Sequence, residues 1–308
     1  MAEGSRLAIL ASIAANVAIA ITKFVVAALS RSMAMFAEGV HSLVNCSDGA
    51  LLLLGQHRAK RPADAAHPFG HGREVYFWSL IVAVMFFTLG SGVTIFEGVR
   101  SLTTTRELGN PRWNYAVLAF SAVFDGSSFV IGLRQFRKRM HGRGYWATIR
   151  QSKDPALFSV VLEDVADLTG LVIAFLGVLL SHVLHMPIFD GLASIAIGGV
   201  IGAIAVILLI ETHGLLIGES ARPELLRAVK IAVSENADVH SVGEPQSIHI
   251  APDHVVIALH VRARHGLSAE RFTLCTQSIS QRVRQEHAEV KQVLLDVSAN
   301  GERPSRTE

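Results

Sequence analysis

Apolar residues gather into six stretches, at about residues 7–29, 33–55, 76–99, 114–134, 155–183 and 189–210. A helix needs about 20 such residues to cross a bilayer core, so each stretch is read as a membrane-spanning helix. The gaps at 30–32 and 184–188 are short, which makes the first and last pairs hairpins. Past residue 215 the pattern changes. In 222–235 (RPELLRAVKIAVSE), Leu225, Leu226, Val229 and Val233 fall at helical spacing. Two strands follow, separated by a turn at Ala251-Pro252-Asp253. In the second, over 255–262, Val255, Ile257, Leu259 and Val261 alternate with the other face. A helix over 268–286 starts at Ser268 as N-cap with Glu270 close behind, and a last strand spans 291–298. The order α-β-β-α-β fits a small two-layer α+β domain. The expected division is a transport domain at 1–212, an α+β domain at 213–300 and a disordered tail, GERPSRTE, at 301–308.

Composition agrees with a polytopic membrane protein. Half of the residues are hydrophobic and 18% are charged, against about 25% charged in a soluble domain. Cys46 and Cys275 are far apart, which argues against a disulfide framework. The opening MAEGSR is too brief for a signal n-region, so the first apolar stretch is read as a real span. Charge placement gives the orientation. The loop 56–75 carries Arg58, Lys60, Arg61 and Arg73, and the loop 135–154 carries Arg137, Lys138, Arg139, Arg143, Arg150 and Lys153. The opposite loops hold only Arg31, Arg106 and Arg112. The positive-inside bias puts both basic loops and both termini in the cytoplasm. The compact chain, with no transit signal, suggests a bacterial plasma membrane. Basic loops beside a membrane meet anionic lipid rather than nucleic acid. No H-E-x-x-H metalloenzyme spacing and no GxxxxGK[ST] nucleotide motif occurs, so the chain is read as a non-enzyme driven by a proton gradient.

Two polar clusters interrupt the apolar stretches. In the second, His41, Asn45 and Asp48 are spaced i, i+4, i+7 and share one helical stripe, with Ser42 and Cys46 beside it. In the fifth, Glu163, Asp164 and Asp167 fall within five residues. An ionisable group in hydrocarbon costs about 2.5–3.5 kcal/mol on insertion scales, which makes it a functional candidate. His nitrogen and carboxylate oxygen bind divalent metals such as zinc, and both exchange metal for protons. Each residue also has a plainer reading. His41 serves as an interhelical donor, Asn45 as interhelical glue, Asp48 as a cytoplasmic vestibule acid, and Glu163 as the partner of Lys23. Glu38, Glu97, Asp125 and Asp190 are read mainly as proton-path or helix-packing groups.

The sequence resembles the cation diffusion facilitators, the proton-coupled metal exporters. The resemblance rests on AEGVHSLVN (37–45), AKRPADAAHPFGHGREVYFW (59–78), VVLEDVADLTG (160–170), FDGLASIAIGG (189–199) and GLLIGES (214–220). Within the family it looks most like the zinc-transporter-nine-type branch. The resemblance implies a six-helix α-helical membrane protein with a cytoplasmic, ferredoxin-like α+β C-terminal domain, working as a homodimer. It implies a metal site between the second and fifth spans, each offering a pair of ligands four residues apart. Those positions fall on His41 and Asn45, and on Val160 and Asp164. Asn45 departs from an expected Asp, and Asp48 stands where the branch tends to have Asn, so amide and acid look exchanged. The expected core is His41, Asn45 and Asp164, with Asp48 as an inner ligand, Asp167 as an outer one and Glu163 nearby. Secondary metal candidates are His67 and His71 in the loop, and His249 and His260 in the terminal domain. The implied function is proton-coupled export of a divalent cation as substrate, zinc first, with iron, cobalt, manganese and nickel open. The alternative is a metal-sensing or scaffold protein that does not transport.

Overall fold

A computed structural model describes residues 3–103, 111–139, 153–264 and 268–298. The tail 301–308, Arg106, His265 and most of the basic loop 135–154 lie outside the described residues. The chain divides into two compact units, 1–58 with 74–213, and 59–73 with 214–308.

The first unit is helical. Its helices are α1 (Glu3–Ser30), α2 (Met33–Ala59), α3 (Glu74–Thr103), α4 (Arg112–Arg139), α5 (Pro155–Val183) and α6 (Ile188–Ile217). Four of them, α3 to α6, contain stretches long and apolar enough to cross a membrane. The apolar part of α1, Val17–Ser30, is shorter. The polar residues Glu38, His41, Asn45 and Asp48 lower the mean hydropathy of α2. The two hairpins turn on one left-handed residue each, Arg31 (φ 55°) and His185 (φ 53°). A core of Val40, Val44, Val82, Phe86, Leu171, Ala174, Ile197 and Ile201 joins α2, α3, α5 and α6.

Asp190 is a packing group. Its carboxylate, from the first turn of α6, accepts from Ser32 Oγ at 2.5 Å and from the backbone amides of Met33 and Ala34. Ser32 Oγ in turn accepts from the Met35 amide at 3.1 Å, so it is the N-cap of α2. A carboxylate there satisfies orphan amides and complements the positive end of the helix dipole.

Helix α3 is π-helical over Phe86–Val93 and lies close against α6 through small residues. A Cβ on Gly198 would come within 2.6 Å of Ile95 Cγ1, and one on Gly202 within 2.7 Å of Ser91 Oγ. In a membrane, where apolar faces gain little by avoiding lipid, such close approach is what holds helices together.

The second unit is α+β. It contains α7 (Pro223–Ser234), β1 (Val239–Val242), β2 (Gln246–Ala251), β3 (His254–Ala263), α8 (Ala269–Glu286) and β4 (Val290–Ser298). The order is therefore α-β-β-β-α-β, one strand more than expected. The extra strand has four residues, VHSV, with only Val239 fully buried, too short for alternation to reveal it. Strand β3 is central. Strand β4 runs parallel along one edge, while β2 and β1 pair antiparallel with successive parts of the other. Val255, Ile257, Leu259 and Val261 point into the core against Leu225, Val229, Ile279 and Val283. Ser268 caps α8, accepting from the Arg271 amide at 3.3 Å. The loop 59–73 belongs to this unit. A Cβ on Gly72 would lie 2.8 Å from Ile250 O and from Ala251 Cβ, so glycine lets the loop sit against the end of β2.

Candidate functional site

A cavity of about 430 Å³ opens among α1, α2, α4 and α5. Asn45 and Asp48 line it from α2, Asp125 and Ser128 from α4, and Val160, Glu163, Asp164 and Asp167 from α5. The 3.6-residue period brings both clusters to this wall. Their pairing is crossed. Asn45 Nδ2 donates to Asp167 Oδ2 at 2.8 Å. His41 Nδ1 lies 3.3 Å from Asp167 Oδ1, at ion-pair distance without hydrogen-bond alignment. Farther along α2, Asp48 and Glu163 line the same cavity. As the numbers rise from His41 to Asp48, those on α5 fall from Asp167 to Glu163, as antiparallel helices require.

The expected core of His41, Asn45 and Asp164 is therefore drawn differently. Asp167, expected farther out, is the acid that touches His41 and Asn45. Asp164 lines the same cavity but turns toward α4, where Ser128 Oγ donates to Oδ1 at 3.4 Å. Oδ2 faces Gly132, where a Cβ would come within 3.1 Å. Glu163 does not pair with Lys23. The Lys23 ammonium goes to Glu38 Oε2 at 3.0 Å and Ser42 Oγ at 2.8 Å. Asp125, read from the sequence as a proton-path or helix-packing group, lies on the cavity wall. Its signal was an acid in the middle of the fourth apolar stretch.

The donor atoms suit a cation. His41 Nε2, Asn45 Oδ1, Asp48 Oδ1, Glu163 Oε1 and Asp164 Oδ2 are buried with no hydrogen-bond partner among the described residues. Leaving such atoms unpaired is costly. A divalent ion or protons would satisfy them, and one nitrogen with several oxygens is a donor set that zinc and its neighbours accept. Val160 adds no donor.

A second cluster lies in the loop 59–73. Ligand atoms of Asp64, His67 and His71 all fall within 4.8 Å of one another. His67 Nδ1 is 3.2 Å and His71 Nε2 is 3.4 Å from the Asp64 carboxylate. The two rings are 4.3 Å apart. Asp64 accepts from the backbone amides of His67 and Ala66 at 2.7 and 2.9 Å. The amide bond from His67 is the main cause that holds its carboxyl below its usual range. The two histidines were legible from their spacing, whereas the role of Asp64 depends on the turn. The terminal-domain histidines separate. His260 Nδ1 lies 3.0 Å from Asp296 Oδ2 on the neighbouring strand. His249 is 2% exposed, its ring 3.4 Å from Ala251 O and its amide bonded to Glu219 O. No metal-ligand cluster joins these two among the described residues.

Residues 9–217 match the family described as the cation efflux transmembrane domain. The chain is 30% identical over 213 residues to the mitochondrial proton-coupled zinc antiporter SLC30A9 of Xenopus laevis, covering 68% of this chain and 38% of that protein. It is 28% identical over 222 residues to the human protein of the same name, covering 71% and 39%. It is 32% identical over 234 residues to metal tolerance protein C4 of Arabidopsis thaliana, covering 75% and 51%. The aligned part thus spans between about two fifths and half of these relatives. With a family match over most of its length and acids converging between its apolar helices, the chain belongs to the cation diffusion facilitators, integral-membrane cation efflux transporters, and within them resembles the SLC30A9 branch.

Proposed function

We propose that this chain exports a divalent cation, zinc first, in exchange for protons through the cavity between α2 and α5. The observation that carries the reading is the gathering of Asp48, Asp125, Glu163, Asp164 and Asp167 around one cavity, with His41 beside them. Like charges so close hold protons when no cation is present. A divalent ion entering among His41, Asn45 and Asp167 displaces those protons, and their return on the far side releases it. Asp48 and Glu163, both on the cavity wall, are the natural proton store, since neighbouring buried carboxyls do not both stay charged. The reading includes six spans, with α1 and α2 crossing as the first hairpin, both termini cytoplasmic, and a homodimer. Asp64, His67 and His71 form a secondary cytoplasmic metal site in this reading.

The test is proton-driven uptake of Zn²⁺, Co²⁺, Mn²⁺ and Fe²⁺ into proteoliposomes by wild type, Asp164→Ala, Asp167→Ala and Asp48→Ala. Wild-type uptake that falls to background in Asp167→Ala supports the site. Metal binding without any flux in wild type would favour a sensor or scaffold and end the transporter reading.

A further inference from the structure

Lys23 and Glu38 form an ion pair that the transport reading leaves unused. Their side chains, on α1 and α2, are 1% and 0% exposed. Burying two charges is expensive, and an apolar pair of the same volume would often hold the helices as well. The placement of the ammonium is asymmetric. It donates to Ser42 Oγ, which lines the acid cavity, while Glu38 does not line it. Among the described residues, none of the side chains lining the cavity is itself basic. On α2, Ser42 is one turn nearer the cavity than Glu38, so the ammonium that bridges them lies on the cavity side of its carboxylate. Glu38 is fixed behind it, its Oε1 placed where a Cβ on Gly170 would come within 2.5 Å.

We propose that Lys23 sets how tightly the site holds a divalent cation. Its fixed positive charge, braced from behind by Glu38, repels an ion bound among the acids and keeps the hold weak enough for release. A carrier needs that balance, since an ion bound too well does not leave. The inference rests on the cavity being the transport site. A dipole with its positive end toward a doubly charged ion several ångströms away changes affinity by about tenfold in a partly polar interior.

The test compares two variants of the full-length purified protein, titrated with Zn²⁺ and Co²⁺ in competition with a fluorescent chelator. Lys23→Met with Glu38→Gln removes the pair as a unit and leaves no lone buried charge. Metal binding is expected to tighten by about tenfold. Glu38→Gln alone leaves the ammonium uncompensated, and binding is expected to weaken by a similar factor. Opposite signs are the signature. A pair that only holds helices together moves both variants in one direction or neither, and either result overturns the proposal. If Glu38→Gln cannot be purified as a monodisperse protein, the sign of the double variant decides, and Lys23→Leu with Glu38→Met takes its place where the first double variant cannot be purified. Wild type that binds no divalent ion defeats the site itself. Wild type that binds, with both variants unchanged, defeats only the role of Lys23.

Discussion

At the scale of the residue, Asn45 is the informative departure. Its amide donates to Asp167 where a carboxylate would compete with it. Asn45→Asp sets two carboxylates face to face, and the empty site then holds an additional proton between them. One more proton should be released per metal bound, measurable by calorimetry in buffers of different ionisation enthalpy. An unchanged proton count would take Asn45 out of the site. Asp64 gives a prediction in the loop. Backbone hydrogen bonds, the His67 amide first, depress its folded pKa below the unfolded value. Its support of the turn is therefore complete above about pH 4 and is lost as pH falls through the depressed value. Exchange protection of the Ala66 and His67 amides, corrected for intrinsic rates, should fall over that range in wild type and be weak and pH-independent in Asp64→Asn. Residue identity made part of this legible. The spacings of His41, Asn45 and Asp48 and of Glu163, Asp164 and Asp167 put each trio on one stripe. Which trio member meets which was not legible, because a pairing between helices depends on their relative depth. That is why Asp167 replaced Asp164 beside His41, and why Lys23 went to Glu38 rather than Glu163.

At the scale of the element, close helix contact is the sensitive feature. Gly198 leaves no room for a side chain beside Ile95. Gly198→Val should force α3 and α6 apart and destabilise the helical unit by about 1–3 kcal/mol, the usual range for overpacking. Tryptophan fluorescence during thermal unfolding in detergent would read this, and an unchanged midpoint would show that the seam yields. The strands show the same limit of sequence reading. Period-2 alternation made β3 plain over 255–262, whereas β1 is too short to show a period. The His260–Asp296 contact depends on the parallel register between β3 and β4, which no local pattern encodes.

At the scale of the whole molecule, the orientation proposed from the basic residues is open to direct test. In a background with Cys46 and Cys275 replaced by serine, single cysteines at Lys60 and Glu244 should label from the cytoplasmic side. A cysteine at Trp113 should label from the opposite one. Labelling of all three from one face would contradict the six-span reading. The contact between Asp190 and the start of α2 has a consequence at this scale. It fastens the last hairpin to the first at one end of the bundle, the end remote from Asp48 and Glu163. Such a bundle behaves like a purse with a clasp on one rim. Parting that rim would strip the buried Asp190 carboxylate of its donors, which is costly. The two rims of the bundle are therefore held by different chemistry, and a wedge between the hairpins meets its stiffest resistance at the clasped one.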